Sequence, residues 1–143
     1  MPASLHSAAT HDLPAEVLYR ILWLRSAVFV VEQQAAYDDI DGRDLEPTTV
    51  QFWAADGDDV LSTLRLLRDA NSLRIGRVAT ALAARGQGLS ARLMQLALEA
   101  CCAEPVVLDA QEHLAGWYER FGFAVSGPGF IEDDIPHVPM RRG

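Results

Sequence analysis

The stretch Arg85-Gly86-Gln87-Gly88-Leu89-Ser90-Ala91 decides how this chain is read. A strand-like run, Arg77-Val78-Ala79-Thr80, ends just before it. A helix-like run begins inside it and continues through Leu93, Met94, Leu96, Ala97 and Leu98. Two glycines at a strand-to-helix turn let backbone N–H groups approach a ligand closely. The helix start adds unpaired N–H donors and a partial positive charge. Together they make a seat for a phosphate or pyrophosphate.

The flanking chain reads as alternating elements. Ser4 to Ala9 suits a first strand. Pro14 suits a helix's first turn, and Val17, Leu18, Ile21, Leu22, Leu24, Val28 and Phe29 recur with helical period to about Glu32 or Gln33, with a break around Arg25–Ala27. Ala35 to Pro47 is acidic and turn-rich and reads as a loop with one short helical turn. Val50 to Ala55, Val60 to Arg68 and Leu73 to Thr80 read as strands joined by tight turns. Val106-Val107-Leu108 is a compact apolar strand. Glu112 to Arg120 is a short helix closed by Gly122, and Phe123 to Val125 and Ile135 to Arg141 are the last strands. The predicted order is β-α-β-β-β-α-β-α-β-β, an α+β (mixed α/β) fold around one largely antiparallel sheet. At 143 residues, half of them hydrophobic, a single domain over 1–143 with a real core is expected.

Composition narrows the function. The net charge of −8 argues against a non-specific nucleic-acid binder. No apolar run approaches a membrane span, and Met1 to Thr10 shows no secretory pattern. The two cysteines, Cys101 and Cys102, are adjacent and suit helix-end packing. A reducing, cytoplasmic setting fits them best. Charge is distributed unevenly. Glu32 to Asp59 holds nine acids and one base, Arg43, whereas Arg65 to Arg92 holds six arginines and one acid, Asp69. An anionic cofactor near the glycine turn and a cationic substrate near the acidic segment would fit this pattern. Chance patterning of solvated faces is the alternative. No histidine has a partner at metal-ligand spacing, and no metal is expected.

Two nucleotide readings compete at the turn. Gly86-Gln87-Gly88-Leu89-Ser90-Ala91 satisfies G-x-G-x-x-A, a dinucleotide fingerprint, with Asp109 about 20 residues on as ribose ligand. However, Ala81 to Ala84 separate the turn from its strand, and too little chain follows for a second doubly wound half. The same residues resemble the R/Q-x-x-G-x-G/A motif of the GNAT N-acetyltransferase superfamily. Trp117-Tyr118-Glu119-Arg120-Phe121-Gly122-Phe123 resembles that superfamily's Y-E-x-x-G-F signature, with the strand Val106 to Ala110 between the two motifs. The ElaA-like branch is suggested by Leu24 to Gln33, Asp39-Ile40-Asp41-Gly42, Ile75-Gly76-Arg77-Val78 and Ile135-Pro136-His137-Val138. The resemblance spans roughly Leu13 to Arg142. Ser90 departs from it, standing where Gly or Ala is usual, and Gln111 stands where many relatives carry Asn.

The resemblance implies acetyl-CoA as donor, a primary amine of a small molecule or peptide as acceptor, and direct transfer with no acyl-enzyme. It implies that the backbone of Gly86, Gln87, Gly88, Leu89, Ser90 and Ala91 holds the pyrophosphate. Arg85 would steady the turn or the phosphates, and Gln111 would contact the cofactor. Val78, Ala79 and Thr80 would pair with the pantetheine arm where their strand splays from Val106–Ala110. An N–H near Val78 or Ala79 would polarise the thioester carbonyl. Tyr118 matches the family's general acid, with core packing as its alternative. Glu32 is the first candidate base and His137 the second; a solvated carboxylate and a structural histidine are the plainer readings. Asp39, Asp41 and Asp44 can bind a cationic acceptor or cap turns. Tyr37 or Trp53 can line the acceptor site. A non-catalytic acyl-CoA-binding module and a small dinucleotide-binding oxidoreductase are the rival functions, and a homodimer stays open.

Overall fold

A computed structural model describes residues 3–143. Its elements in chain order are β1 (Ser4–Ala9), α1 (Ala15–Arg25), a π-helical continuation (Ser26–Glu32), β2 (Val50–Asp56), β3 (Asp59–Arg68), β4 (Leu73–Thr80), α2 (Leu89–Cys101), β5 (Val106–Gln111), α3 (Ala115–Glu119), β6 (Ala124–Val125), β7 (Phe130–Glu132) and β8 (Ile135–Arg142). This matches the predicted order with one addition, β7. That strand is three residues long, exposed, and set between a Gly-Pro-Gly stretch and two aspartates, so its sequence reads as loop.

The strands form one sheet in the order β1-β2-β3-β4-β5-β8-β6, with β7 also on β8. Every pairing is antiparallel except β4 with β5. That parallel ladder holds only at Leu73↔Val106 and Arg74↔Val107. Beyond it the two strands diverge. A bulge causes part of this: Thr63 of β3 faces Ala79 and Arg65 faces Gly76, so Arg77 and Val78 share one partner position. Arg77 has φ +52°, unusual for a residue with a side chain.

Alternation along the strands builds two faces. Leu64, Leu66, Phe52, Ile75, Val106 and Leu108 join the core beneath α2, whose Leu89, Leu93, Met94, Ala97, Leu98 and Cys101 are buried at helical spacing. Removing a side chain such as Leu93 there would cost about 2–5 kcal/mol. A smaller cluster of Leu24, Val28 and Ala79 packs α1 and its π-helical continuation against β4.

α1 does not stop where the sequence suggests a break; it widens. From Ser26 the helix is π-type, with Gln33 N–H bonded to the Val28 carbonyl and Ala35 N–H to the Val30 carbonyl. A π stretch rotates the side chains that follow it. Phe29, Gln33 and Ala35 thereby come to line a cleft between this segment and the sheet.

Candidate active site

Gly86 and Gly88 both lie in the left-handed region, at φ +82° and +74°. No protein atom stands within 4 Å of where a Cβ would sit on either. Gly88 caps α2 without any side-chain hydrogen bond. Among the described residues, the six amides from Gly86 to Ala91 donate to no protein acceptor; the first bond of the helix is Arg92 N–H to the Gly88 carbonyl. Those donors and the helix's positive end fit a diphosphate. Leu89 contributes only backbone, because its side chain is buried in the core.

Ser90 has a local explanation. Its hydroxyl meets those of Thr80 and Ser62, and Ser62 also bonds Thr80 at 2.9 Å and donates to the Ala79 carbonyl at 3.1 Å. Three hydroxyls thus tie the start of α2 to β3 and β4. Arg85 is already engaged by protein acceptors. Its Nη1 and Nη2 donate to the Glu32 carboxylate at 2.8 and 2.6 Å, and its Nε donates to the Thr80 carbonyl at 3.1 Å. These bonds tie Arg85 to the end of β4 and to the π-helical segment.

Past Arg74, β4 has no hydrogen-bonded neighbour on its β5 side, so Ile75 to Thr80 face open space there. That edge can pair with an amide-bearing chain. Beside the divergence lies a cleft of about 510 Å³, lined among others by Val78, Gln111, Tyr118 and His137. The fold therefore brings four of the expected site residues to one space. It does not bring Glu32 there. That residue sits in its exposed pair with Arg85, whose hydrogen bonds hold its carboxyl below the ordinary range. A carboxylate so held is poorly suited to accept a proton at neutral pH.

Tyr118 is 8% exposed and packs edge-on against Trp117 and Phe123. Its hydroxyl has no protein partner, yet it is not a sealed polar atom either; what exposure it has opens on the cleft. Burial pushes its pKa up to about 12, so the phenol keeps its proton. His137 faces Gln111 across β5 and β8, and its ring stacks on Phe130 with centroids 5.6 Å apart. His137 Nδ1 lies 2.7 Å from the Ile135 carbonyl, which can only accept. Nδ1 therefore carries a proton, and Nε2 holds the free lone pair of the neutral ring. Gln111 Nε2 donates to Gln33 Oε1 at 3.3 Å.

The acidic loop behaves differently from the cationic seat its composition suggests. Arg25, only 1% exposed, donates Nε to Asp39 at 3.0 Å and Nη1 to Asp44 at 2.7 Å. Arg65 grips Asp41 at 2.7 Å and Asp44 at 3.2 Å. Arg77 grips Asp39 at 3.0 Å and Asp41 at 3.2 Å. Three arginines thus neutralise three aspartates. Burial disfavours the charged forms of Asp41 and Asp44, but the arginine hydrogen bonds outweigh it and both pKa values fall. Asp39, Asp41 and Asp44 are consequently not free to seat a cation. They anchor the loop and hold Arg77 in its strained backbone conformation. The arginine excess near the glycine turn is explained the same way, since most of those arginines have carboxylate partners. Tyr37 lines the cleft and donates to Asp39 at 2.8 Å, whereas Trp53 stacks on His6 away from it. The sequence pattern marked a break around Arg25–Ala27, where the π segment begins, but not the pairing of Arg25 and Arg65 with the loop acids; an arginine inside an apolar helical period was the one available signal.

The dinucleotide reading fails on this geometry. A doubly wound fold needs a parallel sheet, and only β4 and β5 are parallel here. Asp109, its ribose ligand, is paired with Arg74 at 3.1 Å.

Comparison with known proteins agrees. Residues 19–142 match the family model described as an acetyltransferase (GNAT) domain. The chain is 39% identical over 138 residues to protein ElaA of Escherichia coli K12, covering 92% of this chain and 90% of that one. The crystal structure of Escherichia coli ElaA superposes with a TM-score of 0.93 at 36% identity, with 99% of each chain covered. An acyl-CoA N-acyltransferase from Pseudomonas aeruginosa superposes with a TM-score of 0.95 at 41% identity, again with 99% of each chain covered. The chain belongs to the GNAT acetyltransferase family, in its ElaA-like branch.

Proposed function

We propose that the protein transfers an acetyl group from acetyl-CoA to a primary amine. The observation that carries this reading is Tyr118, a buried residue whose unpartnered hydroxyl opens on the cleft beside the open edge of β4, the strand that leads into six free amides. The amides of Gly86 to Ala91 hold the diphosphate, and the free edge of Val78, Ala79 and Thr80 aligns the arm. Acetyl-CoA, when bound, supplies an activated thioester. The amine nitrogen bonds to the acetyl carbon, the carbon–sulfur bond breaks, the sulfur gains a proton and the nitrogen loses one.

His137 Nε2 takes the first proton, from the ammonium form of the acceptor, and passes it to solvent. Tyr118 donates the proton that the sulfur takes. The phenolate is restored by the proton the nitrogen gives up. An amide of the bulge at Val78 or Ala79 donates to the acetyl carbonyl oxygen. Glu32 acts at a distance, by fixing Arg85.

Free CoA thiol released from acetyl-CoA in the presence of an amine panel tests the reaction. Calorimetric titration with CoA and NAD tests the ligand. Binding of CoA with no thiol release above background for any amine would leave a non-catalytic acyl-CoA module instead, and binding of NAD without CoA would overturn both.

A further inference from the structure

We propose that the acceptor is a small primary amine carrying a second cationic group, seated over Gly76 with its second charge held by Glu132 and Asp133; this rests on the acetyl-transfer reading above. The first observation is the balance of charge in the cleft. Every arginine lining it is already engaged: Arg43 by Glu46 and Asp69, Arg65 by Asp41 and Asp44, Arg74 by Asp69 and Asp109, and Arg77 by Asp39 and Asp41. Among the described residues, the lining carboxylates left without an ion pair are Glu132 and Asp133, on the β7–β8 hairpin. An acceptor with a carboxylate would find no free arginine, while one with a second ammonium or guanidinium would find two free acids.

The second observation is independent of charge. Tyr118 is more than nine-tenths buried, and its unpartnered hydroxyl opens on this same cleft. A buried phenol is normally hydrogen-bonded in its resting protein. Here none of the described residues supplies the partner and the hydroxyl faces the cleft, where the reacting group of a ligand would sit.

The third concerns Gly76. Its backbone lies outside the left-handed region, so no turn requires a glycine. A Cβ there would meet no protein atom within 4 Å, so packing does not require one either. Gly76 sits inside β4, lines the cleft and faces Arg65. Gly76 borders the bulge at Arg77 and Val78, and the space left by its missing side chain opens on the cleft, which permits the close approach of a ligand. A side chain at this position would occupy the cleft where β4 leaves β5.

Calorimetric titration of the CoA-bound protein with 1,4-diaminobutane and with n-butylamine compares two ligands of similar length that differ by one charge. The diamine is expected to bind roughly tenfold more tightly. That ratio is expected to fall towards one in the Glu132→Gln/Asp133→Asn double variant, whose altered side chains are exposed and place little demand on folding. Gly76→Val is expected to bind CoA yet lose the diamine. A ratio near one in the unaltered protein, a ratio that survives the double variant, tighter binding of β-alanine than of the diamine, or full diamine binding by Gly76→Val overturns the proposal. Diamine binding with the expected charge dependence but no thiol release from acetyl-CoA upholds this acceptor class and removes acetyl transfer.

Discussion

Arg85 holds Glu32 in a two-point ion pair, Nη1 to Oε2 at 2.8 Å and Nη2 to Oε1 at 2.6 Å. The two residues are 53 positions apart in sequence, so the pair also ties the end of the π-helical segment to the strand-to-helix turn. Both are exposed, which limits the pair's worth to about 0–1 kcal/mol.

Glu32→Gln therefore tests which residue is the base. With His137 in that role, kcat is expected to stay within about threefold of the parent, and the acidic limb of the kcat/KM profile to stay in place. KM for acetyl-CoA is expected to rise by no more than about fivefold, as Arg85 loses its anchor. A fall in kcat of about a hundredfold or more would return the base to Glu32.

Tyr118→Phe separates chemistry from packing. Phenylalanine keeps the ring packing against Trp117 and Phe123, so the thermal midpoint at pH 7 is expected to move little. The rate is expected to fall by about a hundredfold or more. Stability against pH gives a second readout. Between the ordinary tyrosine value and about 12, the unfolded chain loses this proton while the folded chain keeps it. Stability accordingly falls as pH rises through that window. Tyr37, raised by burial and by its bond to Asp39, contributes with the same sign. Denaturant melts from pH 9 to 12 should show a shallower alkaline loss in the variant, and an identical loss would mean that Tyr118 titrates as it does in the unfolded chain.

The strands and the two motif-bearing helices could be read from sequence because their signals are local: alternation in β2 to β5, helical spacing in α2, and glycines where φ turns positive. The glycine turn that opens α2 could be read for the same reason. What could not be read depends on pairing between distant residues. The acids of the 35–47 loop look free in sequence because Arg25, Arg65 and Arg77, which neutralise them, lie 14 to 38 positions away and can be matched only after β3 and β4 are laid against α1. Glu132 and Asp133 have the opposite fate, since only the finished cleft shows that they lack partners. The bulge at Arg77 leaves no trace in hydropathy, because a one-residue register shift changes geometry rather than composition.

Arg25 measures the worth of that hidden network. All three of its nitrogens donate within the buried cluster, and Asp44 is itself buried. Arg25→Met leaves buried carboxylates short of one cation and is expected to cost about 3–5 kcal/mol by urea denaturation at pH 7. Asp41 and Asp44 bind protons less readily folded than unfolded, so their stabilisation is present above the ordinary aspartate range and lost as pH falls through and below it. The parent is expected to lose stability steeply below about pH 4. The variant, already short of a guanidinium, should show a shallower acid limb. A cost under about 1 kcal/mol would mean that the loop relaxes and water replaces the arginine.

The β7–β8 hairpin carries a cost that bears on the acceptor. Asp133 and Asp134 occupy its two turn positions at φ +51° and +63°, where Asn-Gly or Asp-Gly is the favoured pair. A left-handed backbone at a residue with a Cβ costs about 1–2 kcal/mol, less for aspartate because its short side chain can bond locally. Glycine at Asp134 would relieve that cost but would add freedom to the unfolded chain, offsetting about 0.4–1 kcal/mol. Asp134→Gly is therefore expected to raise the thermal midpoint by roughly 1–3 °C. Asp134 is not among the cleft-lining residues, so the same variant should keep its preference for 1,4-diaminobutane over n-butylamine. Asp133→Gly removes the same kind of strain together with a lining carboxylate, and should gain similar stability while losing much of that preference. If both variants gain stability and both keep the preference, Asp133 has no part in recognising the acceptor, and Glu132 alone carries the second charge.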